Sequence, residues 1–312
     1  MCTLPHSPKV SLEQGFCKMA GRTFPFDSFW YICTLSLARN FRLKFPPEGQ
    51  APETFAIIVK LNSKQRKMNK LTNKVILITG GSKGIGAEIA QKMANEQAKV
   101  IVNFAGSKAD ADGVVAAIRN NGGEAIAIQA DVSKAEEVKS LFDQAIAHYG
   151  KIDVLINNAG IMINKLIKDT TDEDFIKQFD INVKGVFNTL REAATKLENN
   201  GSIINFSTTV NRLMLPTYGT YVATKSAVEQ LTRVFAKEVG RGINVNSVSP
   251  GPTNTALFVK GKSPEAISQL ASLNPFNRIG EPIDIAKVVV FLASEEAKWI
   301  NAQNIGINGG MA

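Results

Sequence analysis

The sequence predicts an α/β fold, a single domain built on a doubly wound parallel sheet of about seven strands, and three observations predict it. From Lys74 onward, short β-branched runs alternate with longer segments that place apolar residues three and four positions apart, the pattern of consecutive βαβ units. The short runs are almost continuously apolar, as strands covered on both faces are. The first of them runs straight into a glycine-rich stretch that opens a helical pattern, where folds of this class make a tight turn.

In chain order, strands are expected at 74–79, 99–104, 125–130, 153–156, 202–206 and 244–249, with a seventh at 303–307. Helical spacing is plainest at 85–95, 135–149 and 220–239. No internal repeat, low-complexity tract or interdomain linker follows residue 68. The body is therefore read as one domain over 68–312.

Residues 1–67 differ in kind. The chain of 312 residues carries a net charge of +8, yet ten Lys and Arg against four acids lie in this leader, leaving 26 basic and 24 acidic residues beyond it. The basic character belongs to the leader, so the body makes no general electrostatic case for nucleic acid. Cys2, Cys17 and Cys33 also lie there. The body can then form no disulfide and cannot use cysteine chemistry, and a reducing, cytoplasmic home is the simplest expectation. The apolar run at 29–37 is far shorter than the ~20 residues that span a bilayer, so no membrane span is expected. With Pro46-Pro47 and the basic run at 64–67, the leader reads as a poorly structured segment. Three origins compete: a tail, an organellar targeting peptide, or upstream sequence ahead of a start at Met68. The first and last are favoured.

The glycine-rich stretch is Thr79-Gly80-Gly81-Ser82-Lys83-Gly84-Ile85-Gly86. Glycines let the backbone approach a pyrophosphate, and a helix amino terminus offers unpaired N–H groups to it. The spacing of Gly80, Gly84 and Gly86 departs from G-x-G-x-x-G. Four further motifs follow: Asn157-Asn158-Ala159-Gly160 after the fourth strand, Tyr221-Val222-Ala223-Thr224-Lys225 opening a long helix, Ser249-Pro250-Gly251-Pro252-Thr253 after the sixth strand, and Asn308-Gly309-Gly310 near the end. In this order and spacing, over 72–312, the sequence resembles the classical short-chain dehydrogenases/reductases, whose Rossmann-type domain carries a nicotinamide cofactor.

The resemblance implies roles. Tyr221 exchanges the proton with the reacting oxygen, Lys225 supports it and meets the nicotinamide ribose, and Asn182, in Asp180-Ile181-Asn182-Val183-Lys184-Gly185, matches an asparagine that holds a relay water. The residues themselves add a reason. Tyr221 and Lys225 are four apart and share a helix face. An ammonium ~4 Å from a phenol at an effective dielectric of ~20 is worth about 4 kcal/mol, enough to bring a pKa of ~10 toward about seven. The family's carbonyl-polarising serine falls thirteen residues before the tyrosine, where this chain has Thr208. Ser207 is the fallback, although side chains alternate at a strand end and Ser207 should point away from the face that Thr208 presents.

The cofactor contacts implied are Gly80, Ser82, Lys83, Gly84, Ile85, Gly86, Asn103, Ser107, Lys108, Asp131, Val132, Asn158, Ala159, Gly160, Tyr221, Lys225, Pro250, Gly251 and Thr253; for Asp131, helix capping competes. NAD-selective sites place an acid about 20 residues past the glycine turn. Here the stretch from Asn103 to Lys108 holds no acid, and Lys83 and Lys108 stand ready for a 2′-phosphate. NADP(H) is favoured, with NAD(H) the alternative. His6 and His148 are the only histidines and no ligand cluster stands out, so no metal is expected.

The segment 254–274 matches the family's variable substrate loop, and Ala256-Leu257-Phe258-Val259 suggests an apolar wall. A ketone, an aldehyde or a 3-oxoacyl thioester fits. The stretch Leu197-Glu198-Asn199-Asn200-Gly201 is not basic, which leaves Arg241 as one contact for an acyl carrier and tilts the reading toward a general carbonyl reductase. The resemblance further implies a homotetramer built on helices near 171–199 and 217–240. The rival reading is a catalytically silent dinucleotide-binding sensor or scaffold.

Overall fold

The computed structural model describes residues 10–13, 16–19, 22–25 and 70–312, and the chain divides into two compact units, 1–67 and 68–312. In the first, β1 (Val10–Glu13), β2 (Phe16–Met19) and β3 (Arg22–Pro25) form a three-stranded antiparallel sheet. The Pro46-Pro47 and 64–67 stretches of the leader lie outside the described residues.

The second unit is the doubly wound fold. Its strands are β4 (Val75–Thr79), β5 (Lys99–Phe104), β6 (Glu124–Gln129), β7 (Val154–Asn157), β8 (Ser202–Phe206), β9 (Asn244–Pro250) and β10 (Asn304–Ile307). All pair in parallel, in the order β10-β9-β8-β7-β4-β5-β6. The helices are α1 (Gly84–Asn95), α2 (Lys108–Asn120), α3 (Ala135–Tyr149), α4 (Asp172–Phe179), α5 (Gly185–Lys196), α6 (Val210–Leu213), α7 (Gly219–Glu238), α8 (Ala256–Val259), α9 (Pro264–Ser272) and α10 (Pro282–Ala293).

Period-two alternation explains the two layers. Ile76 and Ile78 of β4 face one core with Ile89 and Met93 of α1, Val115 of α2 and Val289 of α10. Val75 and Leu77 face the other, with Leu141 and Phe142 of α3, Leu190 of α5 and Val228 of α7. The strand order reverses between β4 and β7, and ligands of open α/β sheets sit at the carboxyl ends of the strands at such a switch.

A buried polar chain fixes α7 against the sheet. Thr189 Oγ1 donates to Asn157 Oδ1 (2.8 Å), Asn157 Nδ2 to Asn205 Oδ1 (2.9 Å), Asn205 Nδ2 to Thr232 Oγ1 (2.9 Å), and Thr232 Oγ1 to the Val228 carbonyl (2.8 Å). It crosses α5, β7, β8 and α7 in sequence. Each group answers the next, so none is left bare inside.

Candidate active site

β4 ends in the glycine turn, with Gly80 at φ +61° and Gly84 at φ +52°, conformations that favour glycine. A side chain on Gly86 would run into the Gly80 carbonyl and the Asn158 amide. Asn158 Nδ2 donates to the carbonyls of Thr79 (3.0 Å) and Gly80 (2.9 Å), and the N–H groups of Asn158 and Ala159 both donate to Thr79 Oγ1 at 3.1 Å. The Asn-Asn-Ala-Gly motif therefore buttresses the turn. Lys83, at the N-cap of α1, gives the first turn no side-chain acceptor, and no acid lies in that turn. An open helix terminus with a positive dipole end and close backbone access fits a pyrophosphate.

At the end of β5 the geometry separates residues that the sequence groups together. Asn103 is buried: its Oδ1 accepts from the Gly80 N–H (3.4 Å) and its Nδ2 donates to the carbonyls of Ile128 (3.3 Å) and Ala130 (3.0 Å). It ties β5 and β6 to the glycine turn rather than facing outward. Ser107 is the N-cap of α2 without a side-chain cap bond. Lys83 Nζ lies 2.8 Å from Asp110, and Lys108 Nζ 2.6 Å from Asp112, all four exposed. Asp131 accepts from the N–H and Oγ of Ser133 at 3.0 and 2.8 Å, a turn-building role. Val132 packs on Gly185, where a side chain would collide with it, and its carbonyl accepts from Asn188 Nδ2 at 2.9 Å.

The catalytic candidates converge at the start of α7. Lys225 is only 4% exposed; its Nζ donates to the Phe206 carbonyl at 2.8 Å and lies 5.8 Å from the Tyr221 ring centroid. Three consecutive hydroxyls follow β8, and Ser207 and Thr208 line the cleft with Tyr221. Ser207 Oγ donates to Glu229 Oε1 at 2.6 Å and Thr209 Oγ1 to the Ser249 carbonyl at 3.0 Å. Thr208 lies beside the Tyr221 phenol, whose pKa it lowers, and its Oγ1 accepts from the Val210 N–H at 3.3 Å. That bond uses one lone pair and leaves the Thr208 proton free for a group in the cleft, which Thr208 lines.

Asn182 is fully buried in a π-helical turn, Asp180–Lys184, between α4 and α5. Its Oδ1 accepts from the Ile161 N–H (2.8 Å) and its Nδ2 donates to the Ile161 carbonyl (2.9 Å) and Thr224 Oγ1 (3.1 Å). A Cβ on Gly160 would stand 3.2 Å from Asn182 Oδ1 and 3.3 Å from Lys225 Nζ. The missing side chain keeps that approach open.

Burial pushes the Tyr221 phenol up to about 12, the hydrogen bond with Thr208 opposing it, and pushes the Lys225 ammonium down to about 8. The expectation of a phenol near seven is therefore corrected for the ligand-free protein. Desolvation disfavours the charged form of each group and is the largest cause of both shifts. At neutral pH the site holds a neutral phenol, a proton donor, beside an ammonium.

The cleft that holds these groups is lined mainly by apolar side chains, among them Ile161, Met162, Leu213, Leu215 and Tyr218, with Leu257, Phe258 and Leu270 of α8 and α9. Pro250, Gly251, Thr253, Ile85 and Gly160 line it too. Arg241 does not serve it. Its guanidinium donates to the carbonyls of Leu197 (2.7 Å), Ala194 (2.7 Å) and Ala193 (3.3 Å), closing the C-terminus of α5, which corrects its reading as a carrier contact. Sequence reasoning also passed over Glu229 and Asn211, although Tyr221, Lys225 and Glu229 recur at four-residue spacing on one face of a helix. Among the described residues no cluster of His, Cys, Asp and Glu could hold a metal ion, and no helix is long and apolar enough to cross a membrane.

Comparison with known proteins agrees with this geometry. Residues 80–312 match the family described as Enoyl-(Acyl carrier protein) reductase. The chain is 41% identical to a 3-oxoacyl-[acyl-carrier-protein] reductase of Staphylococcus epidermidis, over 77% of this chain and 99% of that one. It is 39% identical to a chloroplastic NADPH-dependent aldehyde reductase-like protein of Arabidopsis thaliana, over 77% and 94%. Its fold superposes with a TM-score of 0.74 on a short-chain dehydrogenase of Burkholderia cenocepacia solved in complex with NADP, at 34% identity over 78% of this chain and 99% of that one. With the Tyr221–Lys225 pair at the end of a parallel seven-stranded sheet, these matches show that the chain belongs to the classical short-chain dehydrogenase/reductase family, NAD(P)-dependent oxidoreductases acting on carbonyl and CH–OH groups.

Proposed function

We propose that this protein reduces apolar ketones or aldehydes with NADPH, and oxidises the corresponding alcohols with NADP⁺. The observation that carries the reading is the junction of Thr208, Tyr221 and Lys225 under an apolar cleft that opens beside the uncapped terminus of α1. When bound, NADPH supplies the hydride that goes to the carbonyl carbon. The turn 80–86 would hold the pyrophosphate, and Pro250, Gly251 and Thr253 the nicotinamide end. Thr208 donates a hydrogen bond to the substrate oxygen and polarises it; Tyr221 gives its phenolic proton to that oxygen as negative charge develops. Lys225, held by the Phe206 carbonyl, compensates the phenolate left behind. Asn182, with both side-chain polar atoms engaged by Ile161 and Thr224, acts by holding Ile161 and the cleft wall in place.

The absence of an acid between Asn103 and Lys108, with Lys83 nearby, supports NADPH over NADH. Asp110 and Asp112 share the charge of Lys83 and Lys108, so the preference is finite. The apolar lining, and the engagement of the Arg241 guanidinium by the carbonyls at the end of α5, support a free carbonyl compound over a carrier-bound thioester. Phe175, Ile176, Phe187 and Val234 are exposed on α4, α5 and α7, which supports assembly into a homotetramer through those helices. A cytoplasmic site of action accords with the cysteine-free body.

The test is direct: titrate NADPH and NADH by fluorescence, then follow NADPH oxidation against a panel of apolar ketones, aldehydes and 3-oxoacyl thioesters. Tighter NADPH binding and turnover of the free carbonyls are expected. Binding without turnover of any carbonyl would instead establish the sensor reading.

A further inference from the structure

Glu229 follows Lys225 by one helical turn on the face of α7 that carries Tyr221. Its side chain is 14% exposed. A single oxygen, Oε1, accepts from Ser207 Oγ at 2.6 Å and from Asn211 Nδ2 at 2.7 Å; Asn211 Nδ2 also lies 3.2 Å from Ser207 Oγ, which in turn lies 3.4 Å from the Lys225 carbonyl. The other carboxylate oxygen is 3.9 Å from Arg233.

Ser207 and Asn211 bracket Thr208 on the segment that leaves β8 and enters α6. That segment is held to α7 at two levels, the Phe206 carbonyl by Lys225 Nζ and the Ser207 and Asn211 side chains by Glu229 Oε1. On its far side Thr209 is tied to the Ser249 carbonyl and to Asn308 Nδ2 (3.2 Å). Thr208 lies between the two anchors and lines the cleft with Tyr221. A carboxylate largely withdrawn from water is a poor source of stability compared with an apolar side chain of like volume. Its Oε1 contacts instead fix where the neighbouring hydroxyl points.

We infer that Glu229 is a positioning residue: through Ser207 and Asn211 it holds the Thr208 hydroxyl against Tyr221, and so sets the rate of the chemical step without touching substrate or cofactor. The inference rests on the reading of Thr208 and Tyr221 as the reacting pair. It deepens that reading by naming the group that aligns them.

Two substitutions separate position from mere presence. Glu229→Gln keeps an Oε1 acceptor, whereas Glu229→Met fills similar space with none. A displacement of about 1 Å can cost on the order of 100-fold, so Glu229→Met is expected to lower kcat by about 10- to 100-fold. Carbonyl KM and NADPH Kd should remain close to wild type, and Glu229→Gln should retain most of kcat. A crystal structure of Glu229→Met should show the Thr208 hydroxyl displaced from Tyr221. Wild-type kcat in Glu229→Met, equal impairment of the two variants, or an unmoved Thr208 would each overturn the proposal. If Glu229→Met fails to fold, the double variant Ser207→Ala with Asn211→Leu removes both donors to Oε1; it should reproduce the kcat loss, and wild-type kcat there would overturn the proposal too. A wild-type protein inactive on every carbonyl would sink the reductase reading instead, while the position of Thr208 in the variant crystal would still decide the role of Glu229.

Discussion

Among the three hydroxyls that follow β8, chemistry is decided by what each one already binds. Ser207 is committed to Glu229 and Thr209 to the Ser249 carbonyl, and on that ground we propose Thr208 as the hydroxyl that polarises the substrate. Losing one such donor typically costs about 100- to 1,000-fold in rate, so Thr208→Val is expected to lower kcat by at least about 100-fold with NADPH affinity intact. Ser207→Ala and Thr209→Val should cost less in the same steady-state assay; a larger loss in Ser207→Ala would move the role to Ser207. The alternation of side chains at a strand end separates Ser207 from Thr208 in the sequence, and the two hydroxyls have different partners in the structure. The protonation state was not, because a charge-pair estimate contains no burial. Burial lowers the Lys225 pKa to about 8 while holding the phenol near 12. As pH rises, the ammonium therefore loses its charge first. The kcat/KM for NADPH, which reports the free enzyme, should fall as pH passes about 8, and Lys225→Met should lack that limb. A first break only near pH 10 would contradict the assignment.

The elements themselves were readable because a strand covered on both faces leaves a continuous apolar run: β5 and β8 begin and end where that pattern does, and the other strands shift by a residue or so. Hydrophobic patterning could not show the chain of Thr189, Asn157, Asn205 and Thr232. Its members read as polar interruptions or as motif letters, and they meet only when α5, β7, β8 and α7 pack. Likewise Asn103 reads as a cofactor contact by position, and only the register of β5 against β6 turns its amide inward. The buried chain yields a stability prediction. Asn205→Leu leaves Asn157 Nδ2 without its acceptor while Thr232 keeps its bond to the Val228 carbonyl, and a buried donor left unpaired costs about 1–3 kcal/mol. Denaturant unfolding should show a loss of that order, together with reduced turnover, since α7 carries the active site. An unchanged midpoint would show that the chain does not anchor α7.

For the whole molecule, the family's motifs from the glycine turn to Asn308 all lie in the unit 68–312, and both cores are built from its residues. We propose that this unit is sufficient. A protein beginning at Met68 should retain its Tm and its NADPH-dependent activity; loss of either would assign residues 1–67 a part in the domain. The proposed proton transfer turns on one oxygen atom. Tyr221→Phe removes the phenolic hydroxyl while preserving the ring that packs beside Tyr218 and Lys225. The most direct measurement is therefore paired on that variant, NADPH affinity by fluorescence and carbonyl reduction in single turnover. Near-normal binding with reduction slowed by at least about 100-fold, the usual worth of a positioned proton donor, is the predicted result. Reduction at the wild-type rate would contradict the assignment of Tyr221 as the proton donor.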